Sequence, residues 1–238
     1  MIKEIIVESY NKQVAHIPSA LSMATYIEVL FKEEFIKPYR DKIVLGKPFG
    51  SQAYYTLWKE LGYLDNLSYS MGVKHDEIDF VDYGEETMGN ALGVGAGIAL
   101  TTDKRVWINL TDATLQMGST LEAIQFIGHN CLKNIIVTID YNNMQVTGKT
   151  SDIISVKPVI SFFKKCGWSV KQIDGHNKDD IKNTFTYKTD TSLIDRPQVY
   201  FYKTKKGYGV KCMEDDPVEW HYKKLDENNF RQILKQIQ

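Results

Sequence analysis

Apolar and polar positions change period several times along this chain, and the change is sharpest between residues 105 and 148. Two short apolar runs, residues 106–110 and 135–139, are rich in β-branched residues and end in polar loops. The first loop is Thr111-Asp112-Ala113 and the second is Asp140-Tyr141-Asn142-Asn143. Between them Leu121, Ala123, Ile124, Phe126 and Ile127 recur at helical spacing, and Gly128 and Asn130 end the pattern. A strand, helix, strand unit of this kind is a parallel crossover. Asp112 and Asn142 therefore leave the sheet at the same carboxyl edge, where open α/β sheets bind ligands.

The flanking segments repeat the alternation. Residues 1 to about 14 carry a helical pattern, Ala15-His16-Ile17-Pro18-Ser19 breaks it, and a mostly apolar helix runs on through Phe31. A short buried strand is expected over residues 41–46 and a helix over 53–61. Residues 63–86 hold many acids and few apolar runs, which predicts a long surface loop containing His75. Gly89, Gly93 and Gly97 recur every fourth residue, so a helix there carries one bare stripe that suits close packing against a cofactor, a partner subunit or a neighbouring helix. Residues 149–157 read as a polar loop, 158–165 as a helix, and 167–173 and 197–203 as strands separated by a helix that starts at Asp179-Asp180. Strands alternating with helices, with no repeat or break in composition, predict one α/β domain over residues 1–238 with a single sheet covered on both faces.

Composition narrows the function classes. The 238 residues are 43% hydrophobic and 25% charged, enough apolar material for a substantial core. Basic and acidic residues number 29 and 30, so no global field favours nucleic acid or a membrane surface. Three dispersed cysteines, Cys131, Cys166 and Cys212, point to a reduced compartment and away from a metal cluster. The N-terminal residues carry acids and lack a long apolar core, and no apolar run approaches a membrane span, so a cytoplasmic location is expected.

One carboxylate and one amide oxygen converging at a sheet edge suit a hard cation that keeps positions open for phosphate oxygens. Asp and Asn are also common turn formers, and the residues alone leave both readings open. His16 can cap its helix or face a site. His75 can be a solvated loop histidine or a functional one. The lysine run around Lys205 and Lys206 reads as a solvated loop, while His221 beside Trp220 is harder to assign to the surface.

Taken together, several ordered blocks resemble the N-terminal half of transketolase, the diphosphate-binding domain of a thiamine diphosphate enzyme, in the form where the two halves are separate polypeptides. The blocks are Ala15-His16-Ile17-Pro18-Ser19-Ala20-Leu21-Ser22, Asp41-Lys42-Ile43-Val44-Leu45-Gly46-Lys47 and Gly89-Asn90-Ala91-Leu92. Leu115-Gln116, Gly118, Glu122-Ala123 and Asp140-Tyr141-Asn142-Asn143-Met144-Gln145 follow. Lys206-Gly207-Tyr208-Gly209-Val210, Met213-Glu214 and Glu219-Trp220-His221 close the series. Asn142 lies 30 positions after Asp112, as in the family's cofactor motif.

The resemblance implies a three-layer thiamine diphosphate-binding fold, with a mainly parallel central sheet between helices. It implies that Asp112, Asn142 and the Met144 carbonyl hold Mg2+, and that Met88, Gly89, Ala113, Val146 and His221 contact thiamine diphosphate. His16, His75 and His221 become the catalytic histidines, and Glu122 lies near the dimer contact. The glutamate that activates the cofactor belongs to a pyrimidine-binding domain. A separate C-terminal subunit is therefore the expected partner, and a sugar or sugar phosphate the expected substrate. Three departures stand out. The family's Gly-Asp-Gly is Thr111-Asp112-Ala113, a histidine expected after Lys47 is Phe49, and an acidic residue is Met117. They add two further expectations to ketol transfer between ordinary sugars: a specialised ketol or acyl transferase of unusual sugar or secondary metabolism, and a non-catalytic subunit.

Overall fold

Continuous burial along the central apolar runs decides the architecture. A computed structural model describes residues 1–65, 72–73, 75–186 and 195–237. Six strands, β1 (Lys42–Leu45), β2 (Tyr83–Gly84), β3 (Val106–Thr111), β4 (Ile135–Tyr141), β5 (Ser169–Asp174) and β6 (Gln198–Lys203), form one sheet in the order β2-β1-β3-β4-β6-β5. Every pairing within it is parallel among the described residues.

Successive side chains on a strand face opposite ways, and both faces of this sheet are covered. Trp107, Ile136, Tyr200 and Tyr202 join one core with Ile5, Leu21 and Trp58 from helices α1 (Ile2–Asn11), α2 (Ile17–Lys32) and α3 (Gln52–Glu60). Val106, Ile108, Val137, Val199 and Phe201 join the other core with Ala96, Ile124 and Phe163. These come from α4 (Ala91–Ala99), α5 (Gly118–His129) and α7 (Lys157–Lys165). The expected three-layer α/β arrangement is thus present. The chain also forms α6 (Thr150–Ile153), α8 (Lys178–Thr186), α9 (Lys211–Asp215) and α10 (Glu227–Gln236). Among the described residues no helix is long and apolar enough to cross a membrane.

One expectation is corrected and a second is narrowed. Residues 66–71 and 74 of the supposed acidic surface loop lie outside the described residues. Its end, however, adds β2 alongside β1 and buries Glu85, which is 2% exposed. The Glu85 carboxylate accepts the Ala91 N–H at 3.0 Å and the Asn90 N–H, satisfying donors that open α4. Burial pushes its carboxyl up. The glycine stripe is not used for packing between the described helices of this chain. Gly89 precedes α4 with φ +124°, and Gly93 and Gly97 face open space. The close approach belongs to Gly95, where a Cβ would stand 2.3 Å from Ile108 Cδ1.

Register places the site. Thr111 on β3 lies opposite Asp140 on β4, so Asp112 and Asn142 emerge from adjacent strand ends. Lys47 follows β1, and Thr204 and Lys206 follow β6. The order turns back between β1 and β3, the crevice where α/β sheets place ligands.

Candidate functional site

Asp112 opens a single 3-10 turn, Asp112–Gln116, and is fully buried. Its carboxylate accepts the Asn143 N–H at 2.6 Å and the Thr111 hydroxyl at 3.2 Å. Burial first, and then the negative charge of Asp140, push its carboxyl up to about 6, while the Asn143 and Ala113 N–H groups pull it back. Among the described residues no cationic side chain pairs with it.

Asp140, also fully buried, has the counter-charge that Asp112 lacks. It pairs with Lys47, whose ammonium also donates to the Ser19 carbonyl at 2.7 Å. Ser22 donates to it at 2.8 Å, Asn142 Nδ2 at 3.0 Å, and Thr204 completes the set. Asn142 accepts the Met144 N–H through Oδ1 at 2.8 Å. The loops after β3 and β4 are therefore cross-braced.

The second wall is basic and aromatic. His16 precedes α2 in the left-handed conformation, φ +63°, a costly position for a non-glycine residue. It is 1% exposed, stacks on Phe49 at 4.1 Å and meets His221 and Tyr222 edge-on at 4.7 and 5.1 Å. The His16 N–H donates to the His221 carbonyl at 3.1 Å. Lys206 Nζ lies 2.9 Å from His221 Nδ1 and donates to the Gln145 carbonyl at 3.4 Å. Burial, followed by the nearby Lys47 charge, pushes the Lys206 ammonium down to about 8. Burial followed by Lys206 lowers His16 to about 4 and His221 to about 3, so both rings are neutral near pH 7. With Lys206 donating to Nδ1, the His221 proton sits on Nε2. That nitrogen and both nitrogens of His16 are buried without a partner.

The candidate residues divide accordingly. Asp112, Asn142 and Met144 are brought together, as are His16 and His221. His75 is exposed in the 3-10 turn His75–Glu77, near Tyr83 and Gly84 and outside the His16–Phe49–His221 ring contacts. Gly89 is buried, with its carbonyl held by the Ser119 hydroxyl at 2.7 Å, while Met88 and Val146 are half-buried. Ala113 is not among the residues with positive φ, so the fold does not need a glycine there. Met117 packs beside Gly89 and Glu122 is exposed on α5. The solvated reading of the lysine run is overturned at Lys206, which is 4% exposed, although Lys203 and Lys205 are exposed. Sequence reasoning alone assigns no role to Lys47, Asp140, Ser22, Thr204 or Tyr222. The polar positions after β1 and at the end of β4 are the available signal for the first two.

The donor set fits a hard cation and a diphosphate. A buried carboxylate without a counter-ion, an amide oxygen and a loop carbonyl are oxygen ligands of the kind Mg2+ takes. Two buried ammonium groups and three unpartnered imidazole nitrogens supply donors or polar contacts for phosphate and hydroxyl groups.

Residues 95–237 match the family described as transketolase, thiamine diphosphate binding domain. Among curated relatives, 6-deoxy-6-sulfo-D-fructose transketolase subunit SqwG of Clostridium sp. (strain MSTE9) is 26% identical, covering 100% of this chain and 94% of the relative. An apulose-4-phosphate transketolase subunit of Phocaeicola vulgatus is 23% identical, covering 99% and 90%. Mouse transketolase is 28% identical over 84% of this chain, which spans only 34% of that protein. The crystal structure of Campylobacter jejuni transketolase superposes on 99% of this chain and 41% of its own, with TM-score 0.82 at 19% identity, showing the same fold. With a match over more than half its length, the chain belongs to the transketolase family of thiamine diphosphate-binding domains.

Proposed function

We propose that this chain is the N-terminal subunit of a two-chain transketolase-like enzyme that moves a two-carbon ketol unit from a ketose to an aldose. The carrying observation is Asp112, buried without a cation beside an Asp140 that has one. Asp112, Asn142 and the Met144 carbonyl would hold Mg2+. Lys47, Lys206 and His221 would face the diphosphate, and Ala113 would offer its N–H. Met88, Gly89 and Val146 would line the cofactor. Bound thiamine diphosphate supplies a nucleophilic carbon that adds to a ketone and retains the electrons when a carbon–carbon bond breaks.

His16 and His221, neutral and with free ring nitrogens, bind substrate hydroxyls and move protons at those nitrogens. His75, on its turn beside Gly84, is the third histidine of the set. Phe49 shields one face of His16 from water. A separate chain supplies the pyrimidine-binding domain and its glutamate. Relatives matched along nearly their whole length carry subunit names, which supports this division. Glu122, exposed on α5, would lie near the contact between chains, and the reading assumes a cytoplasmic enzyme free of membrane and nucleic acid.

Calorimetry with thiamine diphosphate and Mg2+ on the assembled complex tests the site, and turnover assays with and without the second chain test the division. Binding that is lost in Asp112→Ala is expected, with turnover only when both chains are present. Cofactor-dependent turnover by this chain alone refutes the two-chain assignment. A second reading keeps the cofactor and changes the substrate. Phe49 puts an apolar ring against His16, and relatives with subunit names are named for 6-deoxy-6-sulfo-D-fructose and for apulose-4-phosphate. Activity on a modified ketose, with none on common pentose and hexose phosphates, would favour it.

A further inference from the structure

Lys206 reaches the site from the turn after β6, and that turn is held by a residue that does not face the site. The turn after β5 carries Asp174-Gly175-His176. His176 Nε2 accepts the Lys205 N–H at 2.8 Å, and its ring stacks on Tyr208 at 3.5 Å with 10° between planes. One imidazole therefore grips the residues on both sides of Lys206. The contact is close along its length. A Cβ on Gly175 would stand 2.5 Å from Thr204 Cγ2, so the two turns press together with no room for a side chain. The Asp174 carboxylate accepts the His176 N–H at 2.9 Å and fixes the ring's own backbone.

We infer that His176 is a positioning residue for cofactor binding. Through the Lys205 N–H and the Tyr208 ring it sets where the Lys206 ammonium stands, and it does so only while its Nε2 is unprotonated. The inference rests on the proposed diphosphate role of Lys206. An imidazolium has no lone pair to accept an N–H, so protonation breaks the grip at Lys205. Because Nε2 accepts, the neutral ring keeps its proton on Nδ1, which is buried without a partner.

The groups facing the ring set its titration. Burial lowers it, while Asp140 on β4, Asp174 on its own turn and Glu214 on α9 favour the charged form. Glu214 is bound by Lys205 Nζ at 2.6 Å and by the Gly209 N–H at 2.8 Å, and Asp140 by Lys47, so part of that negative charge is already compensated. The ring is neutral at pH 7.5 and charges on acidification, releasing the turn.

His176→Phe keeps a flat ring for Tyr208 and removes the acceptor; His176→Gln keeps an acceptor and removes the ring. Inorganic pyrophosphate with Mg2+ is titrated into the full chain, and thiamine diphosphate with Mg2+ into the assembled complex, from pH 5.5 to 8. At pH 7.5 the Phe variant should bind about tenfold more weakly and the Gln variant within about threefold of the parent. Parent affinity should fall on acidification with a component absent from both variants, and kcat at saturating cofactor should change little. Equal affinity in the Phe variant, or an unchanged pH profile, overturns the inference. Hydrogen exchange of the Lys205 amide, read without ligand, decides it apart from the functional reading. Exchange about tenfold faster in the Phe variant supports the grip, and equal exchange overturns it even where no pyrophosphate binds.

Discussion

Replacing Asp112 with Asn should stabilise the metal-free protein while removing the proposed Mg2+ ligand. The carboxyl has an ordinary value of 3.8 and is pushed up to about 6 in the fold. At about 1.36 kcal/mol per pH step, keeping it ionised above pH 6 costs roughly 3 kcal/mol of stability. The sign follows from proton counts. Between pH 3.8 and 6 the folded state holds more protons than the unfolded state, so stability falls as pH rises and the full penalty is present above about 6. Asn removes the charge and keeps an amide oxygen for the Asn143 N–H, now bonded at 2.6 Å. Loss of the charge-assisted part of that bond offsets about 1 kcal/mol. Urea denaturation without Mg2+ should therefore show Asp112→Asn more stable by about 1–3 kcal/mol at pH 7.5, with the gain shrinking from pH 6 toward pH 4. Adding Mg2+ should raise the parent and leave the variant unchanged. A variant less stable than the parent at pH 7.5 without metal would refute the account of a carboxylate awaiting its cation.

Three further outcomes follow from the same geometry. Lys47→Met leaves the Asp140 carboxylate buried without a counter-charge, with the two side chains now 5% and 0% exposed, and should cost about 3–5 kcal/mol in denaturant titrations. Adding Asp140→Leu should recover part of that loss, and no recovery would mean the pair matters for more than charge. His16 and His221, held at about 4 and 3, should show ring NMR signals that stay flat from pH 5.5 to 8. Their contribution to stability is full above pH 6.5 and declines as pH falls through and below that value, and a ring midpoint near 6.5 would refute their burial as neutral groups. Ala113→Gly should lower stability by about 0.5–1 kcal/mol through backbone entropy without tightening cofactor binding, because Ala113 already has an ordinary backbone; a gain in affinity would show that the glycine matters.

Local pattern made the central strand, helix, strand unit legible, since β-branched runs and a 3.6-residue repeat are decided by neighbours a few positions away. The convergence of Asp112 and Asn142 follows from parallel connectivity, and the spacing already contained it. Lys206 was not legible. Its burial depends on Asp140, Asp112 and His221, all distant in sequence, and a lysine among lysines gives no local sign of such partners. Glu85 misled for the same reason, as its place at the start of α4 is fixed by the pairing of β2 with β1. The insertion of β6 between β4 and β5 leaves no trace in the runs themselves. It is that insertion which carries Thr204 and Lys206 to the centre of the edge.

The bond from the His16 N–H to the His221 carbonyl joins segments near opposite ends of the described chain. During synthesis on the ribosome, the Asp112 and Asn142 loops can meet once the middle strands have emerged, but the basic wall waits for residue 221. On the proposed function, a half-made chain can offer the Asp112 carboxylate and the Asn142 amide to free magnesium, but it grips a diphosphate only through Lys47 and the Ala113 N–H. On the proposed function, full capture of the cofactor then reports that the segment from His16 to His221 has closed on itself.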